Sequence, residues 1–212
     1  MKDYQKSFLN LAIESKSLEF GNFTLKSGRS SPYFFNAAKM LGGYSLYQLA
    51  KCYVDAIQDK EMEFDCIYGP AYKGIFLGSI VATLFSEKGE NYPLSFNRKE
   101  EKDHGEGGNI IGIKPEGNVL IIDDVLSAGT AGRESIESIK DLSATPSSII
   151  VGLDRQERGL SDLSSSKELE LDYGLKVESI VNLDSLICFV ENDSSFKNHL
   201  DDLNKYRETW GA

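Results

Sequence analysis

Apolar residues occur along this chain in two alternating patterns. Short continuous runs, such as 119–122 and 149–151, are typical of strands that are covered on both faces. Longer stretches with apolar residues at helical spacing, such as 74–89 and 130–142, predict helices that lie between the strands. Strands and helices that alternate in this way favour an α/β fold, in which helices cover a mostly parallel sheet.

The other segments complete one predicted domain over residues 1–212. We predict a helix over 4–18, a hairpin-like element after it and a second helix over 45–60. Further strands are predicted at 65–69, 92–96, 147–155 and 175–181, and further helices at 183–191 and 196–208. Residues 1–40 and the C-terminal segment are expected to be accessory elements of this domain.

Composition narrows the classes of partner. The chain has 212 residues, of which 41% are hydrophobic and 26% charged, as in a globular domain with a sizeable core. Its net charge of −10 disfavours a broad binding surface for nucleic acid or for an anionic membrane. Neither partner is therefore expected, and any phosphate site must be local.

The cysteines and the apolar runs indicate a compartment. Cys52, Cys66 and Cys188 are widely spaced and form no CxxC pair, which argues against a disulfide framework or a zinc site. We expect reduced thiols, mostly buried. No apolar run reaches the ~20 residues of a membrane span, and the N-terminus lacks the apolar core of a signal peptide. A cytoplasmic protein is the expectation.

The stretch "VLIIDDVLSAGT" (119–130) carries the clearest chemical signal. Asp123 and Asp124 follow a buried strand, where ligands of open α/β sheets bind. The turn 127–131 contains Gly129 and small residues, so its amide groups and the N-terminus of the next helix can hold a phosphate. The aspartates would then face ribose hydroxyls or Mg²⁺. The alternative is a solvated turn with an ordinary helix cap.

This stretch resembles the 5-phosphoribosyl-1-pyrophosphate (PRPP) motif of the type I phosphoribosyltransferases. Three further segments resemble the orotate phosphoribosyltransferases of that class: "FTLKSGRSSPYFFN" (23–36), "YGPAYKGI" (68–75) and "FNRKEEKDHGEGG" (96–108). The resemblance implies that PRPP and orotate give orotidine 5′-monophosphate and pyrophosphate, in the de novo pyrimidine pathway that leads to UMP. It also implies Mg²⁺ on PRPP, with Asp123 or Asp124 reaching the ion through water and no direct protein ligand.

The same resemblance assigns residues to PRPP and to catalysis. It implies that the PRPP site consists of Lys26, Tyr72, Lys73, Arg98, Lys99, Lys102, His104 and the run Asp123, Asp124, Val125, Leu126, Ser127, Ala128, Gly129, Thr130 and Ala131. Within this set the implied catalytic residues are Lys73, Lys99, Lys102, His104, Asp123 and Asp124. The segment 98–108 is implied to be a lid, and Lys99 is implied to act in the site of the neighbouring subunit of a homodimer.

The orotate contacts are implied to come from Lys26, Phe34, Phe35, Ser127 and Arg155. One aromatic side chain would cover the pyrimidine, and the Arg155 guanidinium suits a bidentate pair with the orotate carboxylate. The position of Ser127 is often threonine in the family, so this chain keeps the hydroxyl and lacks a methyl group.

Each segment also has a plainer interpretation. The loop 98–108 has a net charge near −1 with histidine neutral, and a charge run of this kind is by default a solvated surface. Its Gly105, Gly107 and Gly108 instead favour a lid with hinge freedom. Lys73 alone could be an exposed lysine in a strand-to-helix turn. Phe34 and Phe35 are neighbours on a strand, so at least one of them should be buried.

Three other functions remain open from sequence. A phosphoribosyltransferase for a different base, such as a purine, is disfavoured by Arg155, because a purine has no carboxylate. A regulatory protein that senses PRPP would be expected to lose the lid or to gain a DNA-binding segment. A ribose-phosphate enzyme of unrelated fold is the third alternative. Two commoner phosphate-binding motifs, the GxGxxG dinucleotide fingerprint and the GxxxxGK[ST] P-loop, do not occur in the chain.

Overall fold

The computed structural model describes residues 1–25, 27–99 and 109–212. Lys26 and the segment 100–108 lie outside the described residues, and with them the predicted roles of Lys102 and His104. The helices are α1 (Asp3–Glu14), α2 (Gly43–Asp59), α3 (Lys73–Glu87), α4 (Thr130–Asp141), α5 (Ser165–Tyr173), α6 (Leu183–Asn192) and α7 (Leu200–Trp210). The strands are β1 (Leu18–Thr24), β2 (Ser30–Phe35), β3 (Cys66–Tyr68), β4 (Leu94–Asn97), β5 (Ile110–Gly112), β6 (Asn118–Leu126), β7 (Thr145–Asp154) and β8 (Lys176–Asn182).

The predicted mostly parallel sheet is confirmed. Its strand order is β5-β4-β3-β6-β7-β8, and β5 runs antiparallel to β4 while the other neighbours are parallel. The run 119–122 of β6 is at most 1% exposed because helices cover both faces of the sheet. Leu120 and Ile122 pack in the larger core cluster, and Val119 and Ile121 pack in the smaller one beside α4 and α5.

A second sheet lies outside this framework. Strands β1 and β2 pair antiparallel, with Leu18 opposite Phe35 and Thr24 opposite Ser30. The hairpin contacts α1 and, through β2, the C-terminal helix α7. Helix α1 packs on α2 and β8. The two ends of the chain therefore meet beside the hairpin that carries Phe34 and Phe35.

Several predicted boundaries were wrong. Helix α1 ends at Glu14 and not at 18, because Lys16 adopts a left-handed φ of 55° and the chain then enters β1. Strand β6 continues to Leu126, so the two aspartates lie within the strand and not after it. The short strand β5 and the helix α5 were missed. Apart from Leu169, α5 buries no residue of an apolar stripe, and its cues are the Ser164 cap and Gly174 in a left-handed conformation.

The cysteines are free, as expected. Cys52 and Cys66 are buried, whereas Cys188 is exposed. Among the described residues, no helix has the length and apolar character needed to cross a membrane.

Candidate active site

The site forms where β3 stops and β6 continues. Tyr68, the last residue of β3, pairs with Ile121, whereas β6 stays paired with β7 as far as Leu126. Past Ile121, the loop 69–72 and the start of α3 take the place beside β6. A Cβ on Gly74 would lie 2.7 Å from the Ile122 carbonyl oxygen, so glycine permits this close approach.

Asp124 and Lys73 form the central ion pair. The Lys73 ammonium, on the first residue of α3, lies 2.5 Å from Oδ2 of Asp124. Asp124 is 6% exposed, while the Lys73 side chain is 39% exposed. Because its side chain is partly exposed, Lys73 can turn from Asp124 to a ligand without becoming a buried, unpaired cation. The structure brings together two residues that the sequence assigned to the same ligand.

Asp123 faces the opposite side of the strand, as alternation requires. It lines a cavity of about 380 Å³ together with Asn97, Arg98, Lys99 and Ala131, among others. Burial, and after it the negative charge of Asp124, raise the pKa of Asp123 to about 7. Two of the predicted lid cations and one of the aspartates thus share one cavity.

Tyr53 of α2 contacts the same end of β6. Its hydroxyl donates to the Asp123 carbonyl oxygen at 2.8 Å, and the side chain is fully buried. The Asp123 carboxylate accepts the amide N–H of Asp124 at 2.9 Å. These two contacts fix both the backbone and one side chain of the aspartate pair.

The predicted phosphate turn has the expected backbone. Gly129 has a φ of 78° and immediately precedes α4, whose first residue is Thr130, as predicted. Thr130 and Ala131 are exposed, and Ser127 and Ala128 are half-buried. Leu126 is only 4% exposed and its side chain packs in the core, so a ligand could meet its backbone alone.

The hairpin separates its two adjacent phenylalanines. Phe34 is 36% exposed and stacks on Phe23, with ring centroids 5.5 Å apart. Phe35 is 7% exposed and packs against Phe8. The expectation that at least one of the pair is buried is confirmed, and Phe34 is the one accessible to a planar ligand.

Arg155 follows β7 and is 3% exposed. Its Nε lies 2.5 Å from Oε1 of Glu157, and its Nη2 donates to the hydroxyls of Ser31 and Tyr206, each at 2.7 Å. The guanidinium carbon lies 4.1 Å from the centroid of the Tyr33 ring. Arg155 is therefore held from several sides, and its role toward orotate stays a prediction.

The described end of the predicted lid remains close to the site. Arg98 is half-buried, and its amide N–H donates to the Asn109 carbonyl at 2.7 Å, which joins the two sides of the loop. Lys99 is exposed, and its Nζ lies 5.0 Å from the ring centroid of Tyr72 in the same chain. Tyr72 is itself 67% exposed.

Sequence reasoning missed several residues of the site. Asn97 accepts the amide N–H of Ala71 at 2.7 Å and so fixes the loop before Lys73. Its position directly before Arg98 was the available signal. Tyr53 and Tyr206 resemble core aromatics in helical stripes, and Glu157 stands in no recognisable pattern. Within the described part of the chain, no group of three or more histidine, cysteine or acidic side chains could hold a metal.

A mostly parallel sheet whose central strand carries two aspartates near its carboxyl end, next to a lysine at the start of one helix and a glycine turn before another, defines a type I phosphoribosyltransferase. An orotate phosphoribosyltransferase of Marinobacter nauticus is 46% identical over 212 residues, and one of Actinobacillus succinogenes is 48% identical over 213 residues. Both matches cover 100% of each chain. No protein-family model matches the chain.

A solved structure agrees with these relatives. The crystal structure of the orotate phosphoribosyltransferase of Francisella tularensis has a TM-score of 0.84 and 35% identity, and the match covers 97% of this chain and 99% of that one. The chain belongs to the orotate phosphoribosyltransferase family.

The raised pKa of Asp123 predicts a stability effect that depends on pH. Between its ordinary pKa of 3.8 and about 7, the folded chain holds a proton on Asp123 that the unfolded chain releases. The free energy of unfolding therefore falls progressively as pH rises from about 3.8 to about 7, and this contribution is fully lost above about 7. We expect Asp123→Asn to raise the free energy of unfolding by roughly 1–3 kcal/mol at pH 8 and by much less at pH 5, since a shift of one pKa unit corresponds to about 1.4 kcal/mol.

Denaturant unfolding at both pH values measures this difference. The exposed Asp162→Asn serves as the control and should change little at either pH. An equal effect of Asp123→Asn at pH 5 and pH 8 would show that Asp123 has an ordinary pKa.

Proposed function

We propose that this chain transfers the 5-phosphoribosyl group of PRPP to orotate at the carboxyl end of β6, and releases pyrophosphate. The observation that carries the proposal is the pair of aspartates at this strand end, one bound to Lys73 and the other lining a cavity that also contains Arg98 and Lys99. Family membership supports the choice of reaction.

PRPP offers three groups that match three parts of the site. Its 5′-phosphate suits the turn 127–131, where Gly129 exposes backbone amides and α4 contributes its dipole. Its ribose hydroxyls suit the carboxylates of Asp123 and Asp124 as acceptors. Its pyrophosphate suits the cations of the loop 72–73 and of the lid, to which Lys102 and His104 belong by the family pattern.

Lys73 exchanges partners in this scheme. Without substrate, its charge is matched by Asp124 at 2.5 Å. When Asp124 accepts ribose hydroxyls, the flexible lysine side chain turns toward the pyrophosphate, where a cation is worth more as negative charge builds up.

The transfer breaks the bond from ribose C1 to a pyrophosphate oxygen, and the electron pair leaves with pyrophosphate. Positive charge builds on the ribose ring, as in glycoside cleavage. The N1 lone pair of orotate, deprotonated at that nitrogen, forms the new bond from the opposite face. Positioning and charge stabilisation supply the rate, so no covalent nucleophile is required.

Orotate is proposed to lie beside the hairpin. Phe34 presents an accessible ring for the pyrimidine, and Lys26, Ser127 and the backbone near Phe35 are assigned to its edge. Arg155 is assigned to the carboxylate. This guanidinium favours orotate over a purine, which has no carboxylate to pair with it.

Magnesium is proposed to arrive with PRPP. The donor chemistry fits, because Mg²⁺ binds through one or two carboxylates together with substrate phosphates and keeps several waters. Asp123 lines the cavity and can accept a hydrogen bond from such a water, and Asp124 can do so once Lys73 has turned toward the pyrophosphate. When bound, the ion would neutralise charge on the departing pyrophosphate.

A homodimer is also proposed, with Lys99 acting in the neighbouring site. The support is an exposed apolar surface on α2 and α3. Leu41, Tyr44 and Tyr47 are 46%, 76% and 48% exposed at the start of α2. They adjoin a groove of about 290 Å³ between α2 and α3. The assignment of Lys99 to the neighbouring site comes from the family pattern.

The proposal extends to the setting of the enzyme. A cytoplasmic protein is proposed, in keeping with three free cysteines. The net charge of −10 supports the absence of nucleic-acid and membrane partners.

Loss of either aspartate charge should abolish turnover. We expect Asp124→Asn and Asp123→Asn each to lower kcat at least about 100-fold, because a positioned charged group of this kind contributes that order of rate. Spectrophotometric consumption of orotate with PRPP and magnesium is the measurement. Asp172→Asn, an exposed aspartate paired with Arg133 on α4, is the control and should keep full activity. Wild-type turnover in the double variant would remove the pair from the mechanism.

Shared sites should be visible by complementation. Lys99→Ala and Asp124→Asn homodimers should each be nearly inactive, because every site lacks one required group. A mixed dimer assembles one intact site, so subunit exchange should restore up to about half of the wild-type activity by site counting. Each variant taken alone through the same exchange is the control. Exchange proven by differential tags, with activity at the sum of the two variants, would show that Lys99 does not act across the interface.

A further inference from the structure

A buried ionic cluster joins the proposed base pocket to the C-terminal helix. At its centre is Glu157, which is 1% exposed. Its Oε1 receives Nε of Arg155 at 2.5 Å and the Tyr206 hydroxyl in a short hydrogen bond, and its Oε2 receives Nη1 of Arg29 at 2.7 Å. Three distant segments of chain therefore meet on one carboxylate.

Each segment carries part of the proposed pocket or of its support. Arg29 lies in the turn between β1 and β2, three residues after Lys26, and its guanidinium lies 5.0 Å from the centroid of the Trp210 ring. Arg155 is the proposed carboxylate ligand. Tyr206 belongs to α7, the last helix of the chain, and its hydroxyl connects this helix to the pocket.

The contacts within the cluster favour an ionised Glu157 and a protonated Tyr206. Burial alone would raise the pKa of Glu157, but the charge of Arg155 and hydrogen bonds from Tyr206, Arg155 and Arg29 hold it below its usual value. Burial raises the pKa of Tyr206 to about 12. Glu157 is therefore ionised at neutral pH, and Tyr206 keeps its proton and donates it to the carboxylate.

The cluster has a surplus of one positive charge. Among the groups in direct contact, Arg29 and Arg155 are cationic and Glu157 is anionic. Nearby Asp154 directs its carboxylate to the Gln156 amide N–H instead, and burial raises its pKa. Arg155 is 3% exposed, so an anion that pairs with this buried guanidinium would be stabilised there. The carboxylate of a planar base has the matching charge.

The contacts within the cluster also determine which nitrogen atoms of the Arg155 guanidinium already have hydrogen-bond partners. Glu157 takes Nε, and Ser31 and Tyr206 take Nη2. The Tyr33 ring, 4.1 Å from the guanidinium carbon, fixes the plane. A ligand carboxylate would have to approach the remaining Nη1 edge in a single orientation.

We propose that Glu157 is a positioning residue for orotate, which holds the Arg155 guanidinium so that its Nη1 edge receives the carboxylate, with Tyr206 of α7 as the second support. This rests on the proposed function, in which Arg155 binds that carboxylate. Glu157 does not itself touch the substrate. Its effect should therefore appear in orotate binding and not in PRPP binding.

Glu157→Gln tests the proposal, because glutamine keeps the shape and loses the charge. We expect the KM for orotate to rise about tenfold or more, which corresponds to about 1.4 kcal/mol, while the KM for PRPP stays within about twofold. In an Arg155→Ala background the same change should add less than about twofold, since coupled residues are not additive. Glu168→Gln is the matched control. Glu168 is 6% exposed and pairs with Arg133 at 2.8 Å, outside the cluster.

The outcomes separate the two proposals. Equal changes in both KM values, or an effect no larger than that of Glu168→Gln, would overturn the positioning role. A fall in the orotate KM would also overturn it, because the added positive charge alone would then govern binding. A wild-type protein without orotate turnover, or an unchanged orotate KM in Arg155→Ala, would instead overturn the proposed function.

A milder variant covers the case in which Glu157→Gln does not fold. Tyr206→Phe removes only the hydroxyl that bridges Glu157 and Arg155. We expect a rise of about threefold to tenfold in the orotate KM, the size of one lost hydrogen bond, with PRPP unaffected. An unchanged orotate KM in Tyr206→Phe would overturn the proposal.

Discussion

The structure depends on the confinement of two adjacent carboxylates to the end of one buried strand. Asp123 and Asp124 follow four residues that helices cover on both faces, so the strand cannot rotate to release either side chain. Alternation sends one carboxylate to each side of the sheet. Asp124 pairs with Lys73, whereas Asp123 lines a cavity, and burial raises the pKa of Asp123 to about 7. Helix α3, the loop before it and Tyr53 all lie against this strand end.

The local part of this arrangement could be predicted from sequence. The run 119–122, the aspartates after it and the start of α4 at Thr130 are encoded within a dozen residues, where hydrophobic pattern and turn chemistry act directly. The small elements β5 and α5 were missed because β5 spans only three residues and α5 has almost no apolar stripe. The predictions for Lys26, Lys102 and His104 lie outside the described residues.

The long-range part could not be predicted. Glu157 meets Arg29 across 128 positions, and Arg155 meets Tyr206 across 51. A charged residue in a loop is by default exposed, and only the packing of α7 against the hairpin makes Glu157 a buried group. The resemblance pointed to Arg155 for its chemistry, but no sequence pattern identifies which residues hold its guanidinium. Such support is a property of the assembled fold.

The two clusters lie at neighbouring strand ends and differ in their charged groups. Leu126 of β6 accepts the Arg155 amide N–H at 3.0 Å, so the end of β6 adjoins the residue that follows β7. At the first, Asp124 is paired with Lys73, and Asp123 lines a cavity that also contains Arg98 and Lys99. At the second, the single carboxylate of Glu157 receives the two guanidinium groups of Arg29 and Arg155. Hydroxyl donors and metal-bound water suit the first cluster, and a carboxylate suits the second. Under the proposed function, in which the orotate carboxylate pairs with Arg155, repulsion between that carboxylate and the ionised aspartates would favour the same placement of the base.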